Sequence, residues 1–380
     1  MKKIASISML ILVFAGLSLG TLRAAFFPKE INNYESRMAN RLPAWSISAF
    51  LSGGFQQDVE AALSDQFPFS QHLKKAYHEL SSAWIKRTLR PVLAKNPDTA
   101  VLYNGYRLYH GYLIYDRRDP ETMLPHYETV LESYNRAMEA NPETRFFFYY
   151  VESDTTCDIV SGVKNPSFEL LRQRSHAPAG AFGRLQVDGF EQFGEYFRKT
   201  DHHWNHKGSY RAYTDILSMM GLEEEALRPA GKAVVSRSYV GTKGVGSRLP
   251  AFAEEAEVYF FDYPELGASY GGEELYRRGE RTDFTYSNFY GGDEAEFCFD
   301  TGRPERENLL LLGDSMDNAV VKLLASHFNK THSVDLRHYV DEAGNPGLNI
   351  SEYIRQHDID RVLVIGSDFL YADPTFAVRS

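Results

Sequence analysis

The stretch Leu309–Leu310–Leu311–Leu312–Gly313–Asp314–Ser315 decides the fold. An unbroken apolar run reads as a strand covered on both faces, and Gly313 permits a tight turn at its end. The run has two counterparts, Arg145–Phe146–Phe147–Phe148–Tyr149–Tyr150–Val151 and Arg361–Val362–Leu363–Val364–Ile365–Gly366. Between Ser315 and Arg361 the pattern predicts a helix over about Asn318–Phe328, a strand over Ser333–Leu336 and a helix over about Ile350–His357. Strand, helix, strand, helix, strand with short links is an α/β fold with a parallel sheet flanked by helices.

Ligands of such a sheet bind at the carboxyl ends of its strands. Ser315 falls there, ahead of the expected helix, where free backbone N–H groups stabilise an oxyanion. The bland alternative is that Ser315 or Asp317 caps the helix. A serine nucleophile needs a base, and the segment Thr200–Asp201–His202–His203–Trp204–Asn205–His206 offers one. Asp201 and His203 are two apart, so they share a side of an extended or turning segment, and the carboxylate can fix the imidazole tautomer. Two other readings stay open. His202, His203 and His206 form a loose metal-ligand pattern. Asp201 can instead cap the helix that begins near Asn205 and carries Tyr210, Tyr213, Ile216 and Leu217.

The amino end bears on the compartment. Lys2 and Lys3 precede the uncharged run Ile4–Leu22, and Arg23 follows. This run is long enough to span a bilayer and longer than the usual apolar core of a cleaved signal. With the lysine pair held inside, residues 1–25 read as a signal anchor and the rest of the chain as extracytoplasmic. Cleavage after Ala24 would leave the chain secreted, but it places Leu22 at a position that favours small residues.

Residues 26–118 read as an extension of helices and a hairpin. Apolar residues recur at helical spacing from Gln56 to about Arg90, interrupted at Asp65–Phe69, and Ser70 is a candidate cap. Asn96–Pro97–Asp98 is a turn, and Val101–Tyr115 reads as a hairpin with turns at Asn104–Gly105 and His110–Gly111. Residues 119–380 form the α/β domain. It opens with a helix capped by Asp119–Pro120 and stopped by Asn141–Pro142, and 222–300 is an insertion with hairpins.

Composition narrows the function. The 380 residues carry a net charge of −10 and no Lys/Arg-rich run, so nucleic acid is not an expected partner. A mean hydropathy of −0.39 excludes a polytopic membrane protein. The two cysteines, Cys157 and Cys298, exclude a disulfide scaffold and a four-cysteine zinc site but leave one bridge open. No metal or cofactor is assigned. Arg337, at a predicted strand end, is a candidate for binding an acidic sugar or an intermediate, with an internal ion pair as the alternative. Tyr286, Asn288, Phe289 and Tyr290 are candidates for lining a sugar groove.

Thr200–Asp201–His202–His203–Trp204 together with Gly313–Asp314–Ser315 resembles the bacterial DHHW proteins, which are similar to the SGNH-hydrolase-like domain of the alginate O-acetyltransferase family. The order of Tyr34–Glu35–Ser36–Arg37, Leu42–Pro43, Asp65–Gln66–Phe67–Pro68–Phe69 and the Asn104–Gly105 hairpin extends the likeness over nearly the whole chain. The resemblance implies an SGNH-hydrolase-like sheet and a triad in which Asp201 orients, His203 is the base and Ser315 the nucleophile. His202 takes the variable position, and Trp204 packs. The chain departs from the pattern at Val151–Glu152–Ser153–Asp154, where the family tends to carry Pro-Thr-Lys. The implied function is O-acetyl transfer to a cell-envelope or secreted polysaccharide, with that polymer and a membrane acyl-donor protein as partners. The rivals are a carbohydrate esterase with the same triad and a noncatalytic cell-envelope binding or assembly protein.

Overall fold

The computed structural model describes residues 14, 15, 18, 20–29, 31, 32, 37–67, 70–95, 101–103, 105–164, 166–247, 253–267, 284–341 and 344–380. The expected anchor lies largely outside them, as do the turn at Asn96–Asp98 and Tyr34–Ser36. Among the described residues no helix is long and apolar enough to cross a membrane.

The chain divides into two compact units, one ending at Lys95 and the other continuing from there to Ser380 apart from a short segment near 250. The first unit contains the helices Ile47–Leu51, Gly54–Gln66 and Ser70–Lys95. Ser70, expected as a cap, is instead the first residue of its helix, and its hydroxyl donates to the Asp65 carbonyl at 3.2 Å. The expected hairpin is a three-stranded antiparallel meander, Val101–Tyr103, Tyr106–Tyr109 and Tyr112–Ile114. It groups with the second unit rather than with the amino-terminal extension. Leu113 N–H donates to the Lys199 carbonyl, and the Tyr112 hydroxyl to that of Gly194.

The second unit is built on one sheet. Its strands are β1 (Arg145–Val151), β2 (Phe182–Leu185), β3 (Glu296–Asp300), β4 (Leu309–Gly313), β5 (Lys330–Val334) and β6 (Arg361–Gly366). They lie in the order β3-β5-β4-β6-β1-β2. All neighbours run parallel except β3, which pairs antiparallel with β5. The sheet is therefore mixed, not wholly parallel as expected. The cause is the short link between Asp300 and Leu309, which returns the chain at the same end of the sheet. A parallel entry would need a crossover of about a dozen residues.

The apolar runs are continuous because both faces are covered. Phe147, Tyr149, Leu309, Leu311, Leu363 and Ile365 enter one core, and Phe146, Phe148, Leu310, Leu312, Val362 and Val364 the other. Helix α1 (Pro120–Ala140) and helix α3 (Ile350–Gln356) cover the second face, with Tyr127, Leu131 and Tyr134 of α1 buried there at helical spacing. Asp119 caps α1 by accepting from Glu121 N–H at 3.1 Å. Helix α2 (His206–Met219) covers the first face through Ala212, Tyr213, Ile216 and Leu217.

The helix expected over Asn318–Phe328 is cut short. A 3₁₀ turn at Asp317–Ala319 leads into the single short helix Val321–Ala325. Beyond it the carbonyls of Ser326 and Phe328 accept from the side chains of Arg303 and Thr301, so tertiary hydrogen bonds replace helical ones. Cys157 and Cys298 form no disulfide.

Candidate active site

Three strand ends, those of β1, β4 and β6, open on one cleft of about 360 Å³. At the end of β4 the Asp314 carboxylate accepts from Met316 N–H at 2.9 Å, and the Asp314 carbonyl accepts from Asp317 N–H at 2.9 Å. This turn presents Ser315 to the cleft. A Cβ on Gly313 would overlap the Asp317 side chain, so glycine is required there by close approach. Ser315 does not stand at the start of the longer helix expected from the sequence; a tight turn, not a helix terminus, positions it.

His203 comes from a loop pinched by the Phe197–Trp204 bridge. Asn205, not Asp201, caps α2, accepting from Lys207 and Gly208 N–H at 2.9 and 3.2 Å. Asp201 is thereby left for the imidazole. Its Oδ1 lies 2.9 Å from His203 Nδ1, and His203 Nε2 lies 2.9 Å from Ser315 Oγ. A proton held on Nδ1 by the carboxylate leaves Nε2 as an acceptor facing the serine hydroxyl. Burial alone would raise the Asp201 carboxyl, but His203 beside it, the hydrogen bond between them and the Tyr239 hydroxyl hold it well below the usual range. Tyr286 is buried and stacks on the His203 ring at 3.8 Å between centroids, with 9° between planes.

The insertion supplies much of this support. Strand Gly231–Tyr239 pairs antiparallel with Glu254–Phe260. Tyr239 donates to Asp201 Oδ2, and Thr242 Oγ1 is 3.3 Å from Oδ1. Glu254 accepts from the N–H groups of Lys199 and Thr200 at 3.0 and 2.9 Å. A Cβ on Gly241 would overlap the Asp201 carboxylate. Below the cleft the buried Lys243 Nζ meets Asp154 Oδ2 at 2.5 Å, and the same oxygen accepts from Tyr115 N–H at 2.8 Å.

The three histidines do not converge. His206 turns to Tyr259 and lies 3.8 Å from Glu257. Ligand atoms of Asp201, His202 and His203 approach within 4.8 Å, but the Asp201 oxygens already accept from His203 and Tyr239. Arg337 lines the cleft, and its guanidinium is bound by Asp335 at 2.9 and 3.1 Å and by Asp293 at 3.0 Å. The ion-pair alternative therefore describes it. Tyr290 is not at the cleft; it packs on Tyr286 and Phe289 and lines a small separate cavity with Tyr259. Tyr286 likewise serves His203 rather than a groove. Both are drawn away because their rings fill apolar core around the insertion.

Sequence reasoning missed Arg118 and Asp368, which also line the cleft. Asp368 is buried. Its Oδ1 accepts from Thr155 at 2.6 Å, and Arg118 Nη1 is 3.5 Å from Oδ2. The charged run Asp116–Arg117–Arg118–Asp119 was the available signal. Burial also pushes the Asp314 carboxyl up to about 6, against the pull of Met316 N–H and Arg337. An acid raised in the folded state loses its proton more readily when unfolded, so stability falls as pH rises from about 4 to 6 and stays lowered above. Asp314→Asn keeps the acceptor for Met316. It is expected to stabilise the protein above pH 6 by up to about 3 kcal/mol, and to change little below pH 4. Thermal melts across that range read the difference.

An α/β sheet with a serine–histidine–aspartate relay at its strand ends is an arrangement suited to nucleophilic serine chemistry. The chain shares its fold with two solved proteins of low sequence identity. It is similar to a DHHW family protein from Eubacterium siraeum, at 18% identity over 74% of this chain and 98% of that one, with a TM-score of 0.54. It is similar to Bacillus cereus PatB1, solved with a sulfonyl adduct, at 17% identity over 72% and 97%, with a TM-score of 0.54. A weaker likeness, with 6% identity over 72% and 92% and a TM-score of 0.39, is to the O-acetyltransferase domain of Pseudomonas putida AlgJ. No protein-family model and no curated protein matches the sequence.

Proposed function

We propose that this chain is an extracytoplasmic, serine-dependent O-acetyltransferase acting on a cell-envelope or secreted polysaccharide. The observation that carries the reading is the continuous relay from Asp201 through His203 to Ser315 at an open cleft. Ser315 Oγ attacks the carbonyl carbon of an acetyl donor while His203 Nε2 takes the hydroxyl proton. The donor's ester bond breaks, His203 returns the proton to the leaving oxygen, and an acetyl-serine remains. A sugar hydroxyl then attacks the acetyl carbon, His203 takes its proton, and the proton passes back to Ser315 as the acetylated sugar leaves. Arg118 and Arg337 also line the cleft, each paired with a carboxylate, and their remaining N–H groups are the donors nearest an acceptor sugar or the developing oxyanion.

The preference for transfer rests on the ordered likeness to DHHW and alginate O-acetyltransferase sequences. Export and anchoring rest on Lys2–Lys3 and the apolar run Ile4–Leu22, and a membrane acyl-donor protein is the partner this topology suits. The assembled relay favours both enzyme readings over a noncatalytic one. Supplying a chromogenic acetyl ester with and without oligosaccharide acceptors, and following products by mass spectrometry, tests the proposal. Acetylated oligosaccharide that vanishes with Ser315→Ala is expected. Free acetate alone, whatever acceptor is tried, identifies an esterase and overturns transfer.

A further inference from the structure

A second set of ligand-type side chains meets at the far edge of the sheet, apart from the residues of the cleft. Cys298 on β3 and His332 on β5 are directly paired in the antiparallel register, so their side chains share a face. Glu296, two residues before Cys298, points to that face as well. His357, just past the end of α3, closes over it, its ring 4.4 Å from that of His332. Ligand atoms of Glu296, His332 and His357 all lie within 4.8 Å of one another. Cys298 Sγ stands beside this trio rather than within it, 3.7 Å from His332 Nε2.

We propose that Glu296, Cys298, His332 and His357 form a binding site for a single tetrahedral divalent cation of the zinc class. The donor set of one thiolate, two imidazoles and one carboxylate suits a borderline-soft ion and disfavours magnesium or calcium. Tetrahedral bonds to nitrogen and sulfur place ligand atoms about 3.5 Å apart, close to the separation of Cys298 Sγ and His332 Nε2. His332 also has the outer partner such a ligand uses. Its Nδ1 is 3.0 Å from the Tyr353 hydroxyl, which donates to Glu296 Oε1 at 2.5 Å. That contact orients the ring and leaves Nε2 toward the proposed ion. Binding forms a metal–sulfur bond and releases the Cys298 thiol proton to solvent. The ion would tie the antiparallel edge strand to α3.

Cobalt(II), then zinc(II), titrated into the chelator-treated full chain tests this. One cobalt per chain is expected, with a thiolate-to-metal charge-transfer band that zinc abolishes. Cys298→Ser removes the band, and Cys157→Ala keeps it. Tyr353→Phe retains all four ligands and is expected to weaken binding about 10–100-fold. Circular dichroism of each variant verifies its fold. Absence of the band in the wild-type chain, or a band that survives Cys298→Ser, overturns the proposal.

Discussion

Asp201→Asn is expected to lower turnover of an acetyl ester by about 10⁴-fold while the chain stays folded. The asparagine amide would donate toward His203 Nδ1, which then accepts, and the ring proton moves to Nε2. The nitrogen facing Ser315 becomes a donor and can no longer take the hydroxyl proton. Asp201 is nearly inaccessible, and Tyr239 and Gly241 close around it. Water therefore has no easy route to replace the lost carboxylate. Turnover of a chromogenic acetyl ester reads the loss, and a melt of the same variant separates it from unfolding. A variant with near-normal turnover would remove Asp201 from the mechanism.

The second large effect falls on stability. Lys243→Ala leaves the Asp154 carboxylate buried without its ammonium partner, and breaking such a pair costs about 3–5 kcal/mol. The Lys243 Nζ also lies 4.8 Å from the Tyr115 ring centroid and 5.4 Å from that of Phe193, contacts that vanish with it. The melting temperature is expected to fall by roughly 10 °C. Replacing Lys243 by Met together with Asp154 by Asn removes both charges and keeps an acceptor for Tyr115 N–H, and much of the loss is then expected to return. A Lys243→Ala melt unchanged from wild type would show that the pair contributes nothing.

What the sequence reveals follows how local each signal is. Strands β1, β4 and β6 are plain in it because a strand covered on both faces is apolar at every position. Strand β5 begins earlier than expected, at Lys330. Its Thr331, His332 and Ser333 break the apolar run that marks the others. Strands β2 and β3 are short and carry polar residues, so nothing distinguishes them from the loops around them. Asp201, His203 and Ser315 can be read because each sits in a short, chemically unusual segment. Tyr239, Lys243 and Tyr286 cannot, although they hold the relay and its floor. They reach it from the insertion through tertiary folding alone, and tyrosines are common throughout this chain. The same limit hides the pairing of Cys298 with His332, which exists only through the antiparallel register of β3.

In the proposed reaction Ser315 carries the acetyl group between donor and acceptor. Mixing the protein with an acetyl ester in the absence of acceptor, quenching in acid and mapping peptides by mass spectrometry tests it most directly. One acetyl group is expected on the peptide containing Ser315, absent from Ser315→Ala and discharged when an oligosaccharide acceptor is added before the quench. An unmodified Ser315 peptide during active turnover, or turnover undiminished in Ser315→Ala, would contradict it.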